Sequence, residues 1–309
     1  MSTAMLRLLP LLFLLPALFA QRTQQCEAMQ QYKVPGLALE ITSTAYKAAA
    51  LERGIQLPAY CRVDGILDSR TGVAGKPYGI RFALALPDTW NNSFLMQGGG
   101  GLNGSVQPPM GGVAAGGNPA LARGFAVVST DTGHQGAVFD GSFMADQQAA
   151  LDFAYVAIGR VATLAKQMIT HYYGQAAKHS YFSGCSTGGR EAMIMTQRYP
   201  SYFDGVISGA PAMRTGFSNL ADRYVATMLN QVAPKDAAGK PITAAALSPA
   251  NKKLFIDSLL ARLKKSRHSR QVDWKKVAGL RRYGGIRIED NVLVTADGHR
   301  NLTREAETT

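Results

Sequence analysis

The chain is poor in cysteine: Cys26, Cys61 and Cys185 are the only three in 309 residues, too few for a disulfide-built scaffold. Charged residues are also sparse, 17% against 46% hydrophobic, which excludes a disordered, highly charged polymer and leaves a chain able to bury a sizeable core. Long apolar runs are missing after the N-terminal stretch and mean hydropathy is near zero, so a multipass membrane protein is excluded. No internal repeat is visible. Acidic residues are outnumbered 21 to 33 by Lys and Arg, giving a formal charge of +12. That excess alone would suggest nucleic acid or an anionic surface as partner. Its distribution argues otherwise, because ten basic residues between Arg262 and Arg287 face Asp273 alone and carry most of it. The cluster holds no recognised nucleic-acid motif, and a solvated segment is the reading it supports.

Residues 1–20 have the form of a secretory signal: Arg7, an apolar stretch from Leu8 to Phe19, then Ala20 before polar Gln21 and Arg22. Pro10 and Pro16 interrupt the run, which is short of a membrane span. The expected product is secreted or periplasmic, with no membrane span once the signal is removed. In an oxidising compartment Cys26 and Cys61 can close a loop, and Cys185 is then left over as a reactive thiol, an intermolecular link or a residue without its mate.

Ile80, Phe82, Leu84 and Leu86 alternate on one face of a strand that stops at Pro87-Asp88. Phe94–Met96 and Gly124–Ser129 are further short strands, the latter without polar alternation, as expected when both sheet faces are covered. Apolar spacing predicts a helix over Gln147–Tyr173, ended by Gly174. A strand at His179–Ser183, a glycine-rich turn, a helix at Arg190–Arg198 and a strand at Gly205–Ser208 follow. Alternating strands and helices predict an α/β fold with a mostly parallel sheet. Ser248-Pro249 could open a helix through Leu260, and beyond Ala261 no clear period survives.

Gly184-Cys185-Ser186-Thr187-Gly188 fits G-x-S-x-G, a sharp strand-to-helix turn that exposes a serine nucleophile and needs glycines because larger neighbours would clash. The pattern is short, and its weight comes from context: a predicted strand ends at its first glycine and a predicted helix begins after its last. Acyl transfer also needs amides aimed at the developing oxyanion. Thr187 N–H and the Gly98–Gly101 run, in particular Gly100 and Gly101, are the candidates. Gly99, Gly101 and Gly104 also fit G-x-G-x-x-G, but a dinucleotide site requires a helix directly afterwards. Pro108, Pro109, Gly111 and Gly112 stand there instead, so no cofactor is expected.

Gly184-Cys185-Ser186-Thr187-Gly188-Gly189-Arg190, with Tyr173-Gly174 before it and Tyr202-Phe203-Asp204-Gly205 and Gly209-Ala210-Pro211-Ala212 after it, resembles the tannase and feruloyl esterase family. Ser129-Thr130-Asp131-Thr132-Gly133-His134, the Gly98–Gly104 loop and Cys61-Arg62-Val63 are similar to it too. The resemblance runs from about Cys26 to about Leu260. It implies an α/β-hydrolase fold with an inserted lid, hydrolysis of small aromatic-acid esters through an acyl-enzyme, Ser186 as nucleophile and a Cys26–Cys61 disulfide.

Several family features have no counterpart here. The family bonds the cysteine before the nucleophile to one directly after the catalytic histidine, and no cysteine follows Cys185. Its aspartate and histidine lie beyond the lid, and Ala261-Arg262-Leu263-Lys264-Lys265 stands where its calcium loop would begin, so no metal site is expected. His299, or less well His268, with Asp273 or Asp290 as orienting acid, is the substitute base the tail could offer, since triad order in this fold is Ser, acid, His. His134 precedes the serine and reads as structural. The expected organisation is a signal over 1–20, an incomplete hydrolase core over 21–260 with the lid missing or truncated, and a basic, poorly ordered tail over 261–309 left by truncation or a frameshift. The alternative function is a non-catalytic fragment or binding module with a basic tail.

Overall fold

The computed structural model describes residues 9–52, 54–112, 117–213, 215–242, 250, 253, 257, 261, 264–265, 291–295 and 298–301. Two compact units divide the chain, one of Met1–Ala212 with Glu289–Thr309, the other of Met213–Ile288. The second falls in the chain between the last core strand and the final hairpin, where a missing or truncated lid is expected from sequence. Among its described residues are a helix, Thr215–Val232, and a turn bridged between Lys235 and Pro241.

A nine-stranded sheet organises the first unit. Its strands are β1 (Leu39–Lys47), β4 (Tyr60–Thr71), β5 (Pro77–Pro87), β6 (Ser93–Gln97), β7 (Ala126–Thr130), β8 (His179–Cys185), β9 (Gly205–Gly209), β10 (Asn291–Thr295) and β11 (Gly298–Asn301). Their order is β1-β4-β5-β7-β6-β8-β9-β10-β11, and β2 (Ala50–Glu52) and β3 (Ile55–Leu57) form a separate two-stranded sheet. The block β7-β6-β8-β9 is parallel, with antiparallel strands on either side. All five β7 residues are buried, which is what a strand covered on both faces requires.

Helix α1 (Leu9–Ala28) precedes the sheet and runs through the expected cleavage point after Ala20. Among the described residues no helix is long and apolar enough to cross a membrane. Helices α2 (Gln147–Leu151), α3 (Ala157–Tyr173) and α4 (Thr187–Arg198) flank the sheet. Val161, Ala165, Met168 and Ile169 of α3 join Phe82, Phe94, Met96, Val128 and Phe182 of the sheet in one core. Gly174 ends α3 in the left-handed conformation, as the sequence predicts.

Three elements differ from expectation. The long helix is broken between α2 and α3 by a π-helical turn, Asp152–Val156. Its carbonyls are held by distant side chains: Arg190 donates to Phe153 O at 2.9 Å and to Ala154 O at 3.0 Å, and the Tyr199 hydroxyl to Tyr155 O at 3.2 Å. The stretch between Cys26 and Tyr78, for which no element is named from the sequence, supplies β1 and β4. On β4 the buried face is Cys61, Val63, Gly65 and Leu67, while Arg62 and Asp64 pair on the other face at 2.8 Å. The tail, expected to lack regular structure, supplies the β10–β11 hairpin, pairing Thr295 with Gly298. Val292-Leu293-Val294 followed by Asp297-Gly298 was the available signal. The helix expected over Ser248–Leu260 lies largely outside the described residues.

Cys26 at the end of α1 is bonded to Cys61 of β4, both fully buried, at a sequence separation of 35. Closing a loop of that length stabilises the fold by about 3 to 4 kcal/mol through the unfolded chain. A Cys26→Ser/Cys61→Ser variant should lose about that much in urea unfolding, and reductant should lower the midpoint of the wild type but not of the variant. A variant with the wild-type midpoint would show that the bond does not restrain this chain.

Candidate active site

The turn from β8 into α4 holds Ser186 at φ 59° and ψ −116°. That conformation costs a non-glycine residue on the order of 1–3 kcal/mol and persists only where the surroundings over-determine it. Here they do. The Ser186 amide donates to Gly209 O at 3.0 Å, and its carbonyl accepts from the amides of Arg190 and Ala212, each at 3.0 Å. The glycines of the motif are steric necessities: a Cβ on Gly184 would stand 2.4 Å from Gly188 O, and one on Gly189 would stand 2.2 Å from Gly209 O.

The loop after β6 packs backbone to backbone against this turn. A Cβ on Gly98 would lie 2.7 Å from Gly188 Cα, and one on Gly188 would lie 2.7 Å from Gly99 O. Gly98 N donates to Ser183 O at 2.8 Å and Gly188 N to Gly99 O at 3.0 Å. The Thr187 hydroxyl donates to Gly101 O. Thr187 is the first residue of α4, so its amide has no acceptor within the helix, and the positive end of the helix lies at the serine. Gly100 is exposed, with open space where a Cβ would be. The structure therefore brings Ser186, Thr187, Gly100 and Gly101 into one neighbourhood.

Two residues that the sequence reading passed over complete it. Glu191, 1% exposed, accepts from Gly99 N at 3.0 Å and from Asn103 Nδ2 at 2.5 Å. Burial pushes its carboxyl up from the usual range, against the pull of those two hydrogen bonds. Arg190 ties α4 to the π-helical turn, and its guanidinium lies 4.4 Å from the Phe153 ring centre. The signal for Glu191 was a carboxylate on the buried face of α4, with Thr187, Gly188, Ala192 and Met195.

His299 is not brought to the serine. It pairs with Val294, which lies opposite Val206, which lies opposite Phe182. Ser186 follows Cys185 at the other end of β8. Three strand spacings of about 4.8 Å and four residues of about 3.3 Å separate the two backbones by nearly 20 Å. His268, Asp273 and Asp290 lie outside the described residues, as do Arg262 and Leu263 of the stretch where a calcium loop would begin. Cys185 is a free, exposed thiol. His134 is buried, stacked on Phe143 with ring centres 3.6 Å apart, and faces the Leu102 and Thr132 backbone. Burial lowers its pKa despite those carbonyls, so it acts as a neutral support under the Gly98–Gly104 loop.

A serine on a strained strand–helix turn, backed by a glycine loop at the carboxyl edge of a mostly parallel sheet, defines an α/β-hydrolase fold. The chain belongs to the tannase and feruloyl esterase family, whose profile matches residues 61–262. It is 37% identical over 231 residues to the mono(2-hydroxyethyl) terephthalate hydrolase of Piscinibacter sakaiensis, a match covering 72% of this chain and 38% of that protein. It is 40% identical over 136 residues to the probable feruloyl esterase B-1 of Aspergillus oryzae, covering 44% and 23%. The crystal structure of feruloyl esterase B from Aspergillus oryzae superposes with a TM-score of 0.54 at 29% identity, over 70% of this chain and 42% of that one. The match thus spans about two fifths or less of these relatives.

Asp131, at the end of β7, is fully buried; its Oδ1 accepts from Gly133 N at 2.9 Å and Arg81 N at 3.0 Å. Its Oδ2 has no partner among the described residues. Burial pushes its pKa up to about 7, outweighing those hydrogen bonds. Between pH 4 and 7 the folded state holds a proton that the unfolded state releases, so this residue makes stability fall as pH rises through that window. Asp131→Asn should match the wild type at pH 4.5 and exceed it in urea midpoint at pH 8. A constant difference between the two across the range would contradict this.

Proposed function

We propose that the chain is an exported serine ester hydrolase acting on small aromatic-acid esters, with Ser186 as nucleophile. The observation that carries the reading is the Ser186 backbone at φ 59°, held from both sides with the Gly98–Gly101 loop packed behind it. The Ser186 oxygen would attack the ester carbonyl and form an acyl-enzyme. The amide of Thr187 and those of Gly100 and Gly101 would receive the oxyanion, and the alcohol would leave before water releases the acid. Such donors act without reorganising, because the loop and the helix are already bonded to each other.

Family membership supports the ester as substrate. An aromatic acyl group is supported by the names of the relatives, feruloyl esterase and a terephthalate ester hydrolase. It also agrees with the apolar surface beside the loop, where Val138 packs against Gly101 and Val138 and Phe139 are 69% and 77% exposed. The buried Cys26–Cys61 bond and the apolar N-terminal stretch support export.

The position of His299 favours a second reading, in which this chain is a non-catalytic module of the family. Among the described residues no histidine or carboxylate accepts a hydrogen bond from the Ser186 hydroxyl. Hydrolysis of a p-nitrophenyl ester by the purified full chain, compared with Ser186→Ala, separates the two. The esterase reading expects at least a tenfold loss in the variant, from a wild-type rate well below that of an intact triad. Equal rates would favour the non-catalytic module.

A further inference from the structure

The three carbonyls of the Gly99–Gly101 run are all engaged: Gly99 O by Gly188 N at 3.0 Å, Gly100 O by Asn103 N at 2.9 Å and Gly101 O by the Thr187 hydroxyl. A trans peptide sets each N–H opposite the preceding carbonyl, so fixing Gly99 O and Gly100 O also fixes the amides of Gly100 and Gly101. The Gly99 amide is different. It is turned inward, onto Glu191 Oε2 at 3.0 Å, in a pocket closed by the Asn103 side chain. That side chain lies so close that a Cβ on Gly99 would stand 2.4 Å from it, and Asn103 itself holds φ 56°, which asparagine tolerates better than most residues. Glu191 and Asn103 are 1% and 5% exposed, and neither is used by the chemistry above.

We propose that Glu191 is a positioning residue: by accepting the Gly99 amide it removes that donor from the oxyanion site and locks the loop so that Gly100 and Gly101 alone can supply the loop's share. The proposal rests on the esterase reading. A carboxylate buried at this depth is costly unless both oxygens are hydrogen-bonded, and here one oxygen holds the loop backbone and the other its side-chain clasp. A residue that merely filled space on the inner face of α4 would be apolar, as its neighbours Ala192 and Met195 are.

The test compares Glu191→Met, which keeps length but offers no acceptor, with Glu191→Gln, whose carbonyl can still receive Gly99 N–H and whose amide can donate to Asn103 Oδ1 once the Asn103 amide turns over. On the full chain, a fluorophosphonate gives the rate constant and affinity of Ser186 modification, and hydrogen exchange read by mass spectrometry follows peptides over 98–104. Glu191→Met should speed exchange there at least tenfold and slow the inactivation step at least tenfold. Reagent affinity should stay within threefold, and protection of β6, β8 and α3 should be unchanged. Glu191→Gln should remain within threefold of wild type on every measure. Wild-type exchange at 98–104 in the Met variant, a loss carried by affinity alone, or a Gln variant as slow as Met would overturn the proposal. Should the Met variant fail to fold, Asn103→Gly, which suits the positive φ, must speed exchange of the same segment, and its failure to do so overturns the proposal equally. A wild type that is not modified at Ser186 would sink the esterase reading, while the exchange comparison would still decide whether Glu191 holds Gly99.

Discussion

The close approach that matters for function is between bare backbone on two segments, at Gly98 and Gly99 on one and at Gly184 and Gly188 on the other. No side chain fits between them, and that is the constraint on which the rest depends. Because the chains meet without Cβ atoms, hydrogen bonds can run directly from the end of β8 and the start of α4 to the loop after β6. Ser186, the proposed nucleophile, and the amides proposed as its oxyanion donors are thereby joined through backbone hydrogen bonds. The strain at Ser186 is small beside the number of bonds that would have to break to release it.

Around this contact the protein buries more polar groups than a simple core would. Glu191, Arg190, Asp131 and His134 each sit where water is scarce, and each engages backbone rather than another charged side chain. Partnerships of that kind gain little net stability, but they specify geometry, since a misplaced loop leaves a buried polar group unsatisfied. Arg190 shows this best. The π-helical turn places carbonyls where an α-helix would have consumed them, and the guanidinium is the group that makes the irregularity tolerable.

The central block of the fold was readable because its buried strands are short continuous apolar runs and its helices carry an apolar face at helical spacing. β7 and α3 are examples, and the glycine spacing around Ser186 located the turn between β8 and α4. What was not readable followed from longer-range causes. β4 alternates clearly only once Arg62 and Asp64 are recognised as a pair on one face. The break before α3 depends on Arg190 and Tyr199, far along the chain. Glu191 was hidden because a single carboxylate on a helix carries no local indication that its partner is a loop ninety residues earlier. His299 matched triad order, but order along a chain does not encode register across a sheet.

The carbonyl of Ser186 accepts a hydrogen bond from Ala212, and Ala212 is the last residue of the first unit before the chain passes into Met213–Ile288. The carbonyl of Ser186 is therefore held by the residue at which the chain leaves the first unit. The chain thus leaves the first unit over residues 209–212, whose two ends are both hydrogen-bonded to Ser186 and which include Ala210, itself at a positive φ of 38°.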